Sequence, residues 1–178
     1  MKKIAFCVLL YFFSTAAFSQ KGVGTELAFG LDFGVPVGNF GLNLNANPGF
    51  GADAKLGYNF TPNWAVLIQA GYMAFFTTEK LNSRNVGTIS DGFIKLCGKY
   101  TTQGRLYFEP ALGFSKFSSG NIKAIGGDGL TLAATVGYYA DAAKTFDFGI
   151  RYETTTNSES VRFVGIRLGY RLVSGHSF

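Results

Sequence analysis

Long apolar runs are missing from this 178-residue chain. Beyond its N-terminal leader, no segment reaches the roughly 18 uninterrupted apolar residues that a membrane-crossing helix needs. The richest stretch, residues 64–76, is broken by Gln69. Mean hydropathy is only slightly above zero, which excludes a helical bundle in lipid. Cysteine and histidine are nearly absent as well. Cys7 lies in the leader, so Cys97 alone remains in the mature chain and no intramolecular disulfide can form. With His176 as the single histidine, a nitrogen and sulfur metal site lacks ligands, and no metal or cofactor is expected. Excess charge of one sign is scarce: the net +5 becomes +3 once Lys2 and Lys3 are removed. No basic cluster accompanies it, so nucleic acid is not an expected partner.

The leader itself reads as an export address. Lys2 and Lys3 form a positive start, residues 4–13 an apolar core, and Ala17-Phe18-Ser19 places small residues at the cleavage-determining positions. Residues 1–19 are therefore expected to be a cleaved signal peptide and 20–178 the mature domain, beginning at Gln20. Cys7 lacks the small-residue context of a lipidated cysteine.

What the chain has in abundance is alternation of period two, eight times over. In the first stretch Val23, Leu27, Phe29, Leu31, Phe33 and Val35 share one face, while Gly24, Glu26, Ala28, Gly30, Asp32 and Gly34 share the other. Strand side chains point alternately to opposite sides, so this pattern predicts a sheet with two unlike faces. Further stretches at 50–60, 64–73, 94–100, 106–115, 130–138, 146–153 and 164–172 repeat it. Eight such strands suffice to close a barrel, and the expected fold is an all-β, eight-stranded, antiparallel, up-and-down transmembrane β-barrel. Pro110 cannot donate a ladder hydrogen bond, which predicts a bulge or local gap there. Segments 36–49, 77–91 and 116–129 read as long loops, and 61–63, 101–104 and 141–145 as short turns; 154–160 closes the last loop. Long and short connections alternate as they do in barrels of the bacterial outer membrane.

Glycine decides which face meets lipid. Gly30, Gly57, Gly71, Gly113, Gly137, Gly149, Gly165 and Gly169 all lie on the polar face, where a narrow lumen crowds its own side chains; a water-exposed strand would carry Thr, Lys or Glu there. Aromatics on the other face form two groups. Tyr58, Phe60, Trp64, Tyr138, Phe146 and Tyr170 cluster near the short turns, and Tyr72, Phe114 and Tyr152 lie toward the opposite rim. Two belts of this kind match the interfacial girdles of a membrane barrel.

The segments Leu56-Gly57-Tyr58-Asn59-Phe60-Thr61-Pro62-Asn63-Trp64, Ala70-Gly71-Tyr72 and Arg167-Leu168-Gly169-Tyr170-Arg171, in that order and at barrel spacing, resemble the small eight-stranded outer-membrane barrels of the OmpA-like and OmpX-like kind. The likeness spans nearly the whole mature chain. It implies insertion in the outer membrane and a structural, adhesive or envelope-maintenance role, without peptidoglycan binding. In such barrels a final aromatic residue aids assembly; Phe178 is aromatic, although regular alternation ends near Leu172 and leaves the role of 173–178 open.

Twelve charges fall on the inward face: acids Glu26, Asp32, Asp53, Glu109, Asp147 and Glu153, and bases Lys55, Lys95, Lys99, Arg151, Arg167 and Arg171. Equal numbers predict a neutral, mutually paired interior, and eight strands enclose about the width that side chains can fill. Arg167 is expected to pair with Glu26 or Asp32 on the first strand. No serine or carboxylate is set beside a histidine base, since His176 falls at the short-turn end, so an enzyme is not expected. Cys97 reads as a small buried packing residue. Loop bases Lys80, Arg84, Lys116 and Lys123 could meet lipopolysaccharide phosphates at the outer rim. These features point to a monomeric, non-enzymatic barrel with a plugged lumen that reinforces the envelope or presents loops to a surface partner. A small-solute channel and an accessory subunit of a secretion or assembly machine stand as alternatives.

Overall fold

Eight long strands follow one another up and down the chain: β1 Gly24–Pro36, β2 Ala46–Asn59, β3 Trp64–Thr77, β4 Thr88–Thr101, β5 Leu106–Ser119, β6 Gly127–Tyr139, β7 Phe146–Thr156 and β8 Val161–Ser174. The computed structural model describes residues 23–38, 46–77, 80–81, 84–85, 88–119, 127–156 and 161–174. The expected signal peptide 1–19, the start at Gln20, Lys123, His176 and Phe178 lie outside the described residues. Each strand pairs antiparallel with its sequence neighbours, and β1 closes on β8. A two-residue ladder, Lys80–Leu81 with Arg84–Asn85, sits between β3 and β4.

Closure fixes the barrel's dimensions. From Glu26 the paired positions run through Gly57, Leu67, Cys97, Ala111, Ala133, Glu153 and Phe163, and they return to β1 at Pro36, ten residues further along. Eight strands with that shear tilt by about 40° and enclose a radius of about 8 Å. The alternation seen in the sequence places Leu31, Phe50, Ile68, Leu96, Leu112, Leu132 and Ile150 outward and exposed. An outer band so apolar is matched to lipid, and closing the sheet removes the free edges that lipid would not tolerate. The fold is a transmembrane β-barrel.

At the short-turn end, side chains cap the backbone. The Thr61 hydroxyl oxygen accepts from the Trp64 N–H at 2.9 Å, and Asn63 Nδ2 donates to the Thr101 carbonyl at 2.6 Å, tying two adjacent turns together. In the β6–β7 turn, Asp141 Oδ1 accepts from the Thr145 and Phe146 N–H groups, each at 2.8 Å. Arg105 and Lys144 take the left-handed conformation that closes their turns. Pro110 keeps its register against β6, while the ladder to β4 is interrupted between Cys97–Ala111 and Tyr100–Phe108 without a register shift. The missing proline N–H accounts for a gap there in place of a bulge.

The strands run further at the loop end than the sequence pattern indicates. Residues 88–91, 116–119 and 127–129, expected in loops, continue β4, β5 and β6, and β8 reaches Ser174. Lys116 therefore lies on a strand, facing outward. The cause is a reversal of sign. Thr88, Lys116, Ser118, Asp128, Thr156 and Arg162 face outward and are exposed, whereas Met73, Phe75, Ile89, Phe117, Val161 and Phe163 turn inward as one buried apolar cluster. A strand that crosses lipid needs only about 9–11 residues, and β2, β3, β4, β5 and β8 have 14. The surplus stands in water, where polar residues belong outside and apolar ones inside.

Candidate functional site

The inward face brings all twelve expected charges into the lumen, each of them buried. Toward the short turns, Glu26 pairs with Lys99 and, at 2.9 Å, with Arg171 Nε. Asn59 joins them, donating from Nδ2 to Glu26 Oε2 at 2.9 Å and accepting from Arg171 Nη2 at 3.2 Å. Lys55 pairs with Glu109. Nearer the loop end, Arg151 lies 3.2 Å from Asp32 and 3.3 Å from Glu153, which also pairs with Lys95 at 2.6 Å.

Arg167 is the most connected group. Its Nε and Nη2 donate to the two oxygens of Asp53 at 3.0 and 3.2 Å, and Nη1 donates to Asp147 Oδ1 at 2.9 Å. Tyr107 completes the cluster with its hydroxyl donating to Asp147 at 2.7 Å. The expected partners, Glu26 or Asp32, are therefore corrected to Asp53 and Asp147. Asp32 stands directly opposite Arg167 in the ladder, yet it is taken by Arg151, and Arg167 crosses β1 instead. Gly30 permits this, since a Cβ there would lie 2.6 Å from the guanidinium. An arginine that crosses a neighbouring strand can couple strands that do not touch: here β8 reaches β2.

One lumen acid escaped the sequence reading. Asp91, placed within the 77–91 loop by its polar surroundings, is an inward residue of β4, fully buried, and its carboxylate makes no ion pair among the described residues. Its odd number was the available signal, because Lys95, Cys97 and Lys99 share that parity on the same strand. With Asp91 included, seven acids face six bases among the described residues. By register it is flanked by Met73 and Phe117, so it stands where the charged belt gives way to the apolar cap. Cations at this border rest on aromatic faces. Lys95 Nζ sits 3.7 Å from the Phe93 ring centre, and the Arg151 guanidinium lies 5.6 Å from that of Phe163. Beside them Thr131 donates to Ser115 at 2.8 Å and shares a hydrogen bond with Thr155 at 2.7 Å.

Cys97 is a buried thiol, 3.7 Å from Gln69 Oε1 and packed in an apolar layer with Ala65, Leu67, Ala111 and Ala133. All nine expected girdle residues, Tyr58, Phe60, Trp64, Tyr72, Phe114, Tyr138, Phe146, Tyr152 and Tyr170, face outward and are exposed. Trp64 packs on Tyr100 with ring centres 4.7 Å apart, and Phe146 on Tyr170 at 5.1 Å. Lys80 and Arg84 fall in the small ladder between β3 and β4. The contacts found among these lumen groups are ion pairs and hydrogen bonds.

No protein-family model matches the chain, and no curated protein matches it in sequence. Solved structures do. The N-terminal β-barrel domain of Pseudomonas aeruginosa OprF has a TM-score of 0.59 at 12% identity, covering 84% of this chain and 99% of that one. Ail, the attachment invasion locus protein of Yersinia pestis, solved in complex with the heparin analogue sucrose octasulfate, has a TM-score of 0.53 at 14% identity and covers 86% and 100%. Neisserial surface protein A has a TM-score of 0.52 at 15% identity and covers 86% and 99%. At these identities the likeness is one of architecture: the chain has the fold of the small eight-stranded outer-membrane barrels.

Proposed function

We propose that this chain is a non-enzymatic protein of the bacterial outer membrane, exported through a cleaved signal peptide at 1–19, whose lumen is plugged by its own side chains. One observation carries the reading: every buried lumen base is engaged by a buried lumen acid, and an apolar cluster lies above them. A charge committed to a neighbour inside a narrow barrel is not free to pass ions or to act on a substrate. Function then falls to the barrel's rigidity in the envelope and to its loop end. Lys80, Arg84 and Lys123, in the loop segments of the sequence, would offer positive charge to lipopolysaccharide phosphates; the sulfated heparin analogue bound by Ail is a polyanion of the same character.

Planar-bilayer recording of the purified barrel tests the plugged lumen. The expected trace shows no steady conductance, and a stable channel would overturn the reading in favour of a small-solute pore. Intact mass of the mature protein should begin at Gln20. Binding to lipopolysaccharide should weaken with salt and with Lys80→Ala plus Lys123→Ala; indifference to both would remove lipopolysaccharide as the loop partner.

A further inference from the structure

Asp91 is the lumen acid that the ion pairs leave over, and it lies against the apolar cluster at the loop end. Met73 and Phe117 oppose it in the ladders to β3 and β5, and Ile89 is the next inward residue of its own strand; all three belong to that cluster. On the other side the next inward residue is Phe93, with Lys95 Nζ over its ring. The charges that reach Asp91 are Glu153 and Arg151 of β7 and Lys95 of β4, and the Ser115 hydroxyl of β5 lies beside it. From β8 the cluster receives only the apolar Val161 and Phe163.

Both cations are committed elsewhere. Lys95 pairs with Glu153 at 2.6 Å, and Arg151 lies 3.2 Å from Asp32 and 3.3 Å from Glu153. At this end of the belt the acids Asp32, Asp91 and Glu153 thus outnumber the bases Lys95 and Arg151. An ionised Asp91 would set the surplus negative charge near Glu153 and beneath apolar side chains, and a buried charge without its own counterion is far more costly than the neutral acid. A neutral carboxyl needs only a hydrogen bond, which the Ser115 hydroxyl can supply. The apolar cluster, for its part, can yield. Thr88, Lys116 and Ser118 are outward and exposed on the same strand ends, so at this height the wall stands in water and the cluster is held by its own burial.

We propose that the apolar cluster is a proton-held lid on the lumen, shut while Asp91 carries its proton and opened when that proton is lost. As pH rises the proton passes to water, the carboxylate left behind draws water beneath the cluster, and Met73, Ile89 and Phe117 part from it. The loop end then hydrates down to the Lys95–Glu153 pair, and the ion pairs below it stay closed. The inference rests on the plugged-lumen reading and adds a condition to it: the upper part of the plug holds below neutrality and loosens on the alkaline side.

The test places a single thiol in the lid of the full-length mature barrel in nanodiscs: Val161→Cys and, separately, Ile89→Cys, each with Cys97→Ala to remove the native thiol. Labelling by a water-soluble maleimide is followed from pH 6 to pH 9. Each rate is divided by that of Ser118→Cys, an outward, exposed position on β5, which cancels the pH dependence of the thiol reaction itself. The ratio should rise several-fold toward pH 9 at both lid positions. With Asp91→Asn added, the side chain stays neutral and the ratio should keep its low pH 6 value throughout. A ratio that stays low at every pH with Asp91 in place, or that rises equally with Asp91→Asn, would overturn the lid while leaving the plugged lumen intact. Lid thiols labelled as fast as Ser118→Cys already at pH 6 would instead overturn the plugged-lumen reading itself.

Discussion

The barrel's two ends obey opposite rules. Through the lipid-facing band, Leu96, Leu112 and Leu132 are outside and Lys95, Glu109 and Arg151 inside. At the loop end, Ser118 and Thr88 are outside and Phe117 and Ile89 inside. The strands are continuous through the change; only the solvent differs. Lipid excludes charge from the outer surface, so the lumen must absorb the charges, and each needs a partner because an unpaired buried ion is expensive. In water the outer surface can be polar, and burial of apolar side chains becomes the stabilising option. The same period-two backbone thus records where the membrane stops.

Four measurements would break or sharpen that contrast. Arg167→Ala should have the largest effect, since it strands both Asp53 and Asp147 inside the lipid-bounded lumen; a loss of about 3–5 kcal/mol is expected. Urea unfolding in detergent micelles would show it, and an unchanged midpoint would mean that the network does not hold the barrel. Next come paired outer-face changes. Leu112→Lys within the band should cost about 2–4 kcal/mol, against about 0–1 for Ser118→Lys on the same strand. Equal costs, measured by refolding into vesicles, would erase the proposed boundary. Asp91→Asn has the opposite sign. Removing a buried carboxylate that has no ion-pair partner among the described residues should leave stability unchanged or raise it by about 1 kcal/mol, and a clear loss would show that Asp91 has a partner within the network.

The smallest effect concerns Asp141, outside the membrane. Slight burial works the other way, but the N–H groups of Phe146 and Thr145 hold its carboxyl below the ordinary carboxylate range. A depressed folded value stabilises the protein above the unfolded pKa of about 3.9, and the contribution fades as pH falls through the folded one. Asp141→Ala should remove this shallow acid dependence, and a stability profile from pH 6 to pH 2 that still carries it would assign it to another group.

Much of this architecture was legible beforehand. Eight strands, their inward and outward faces and the short turns follow from alternation, because side-chain direction along a strand is a local property. The twelve inward charges were visible for the same reason. Asp91 and Lys116 lie in polar stretches that read as loops: beyond the lipid the outward face turns polar, so Lys116 lacks the alternation that marks a lipid-facing strand, and Asp91 is cut off from the strand whose parity it shares. Arg167 was given the wrong partners because adjacency in the ladder is not reach: a guanidinium can pass over a glycine such as Gly30, and a chain listing cannot show which neighbour has already been claimed.

By itself, then, the sequence determined a two-faced, eight-stranded sheet with charge on one side and grease on the other, since that needs only backbone pleat and residue polarity. The tertiary structure decided the rest. A shear of ten residues slides positions from distant strands to a common height, and the gaps left by small residues determine which side chains meet there. The joining of Arg167 to Asp53 and of Lys99 to Glu26 are consequences of closing the sheet, because they depend on distances across the barrel that no local pattern encodes.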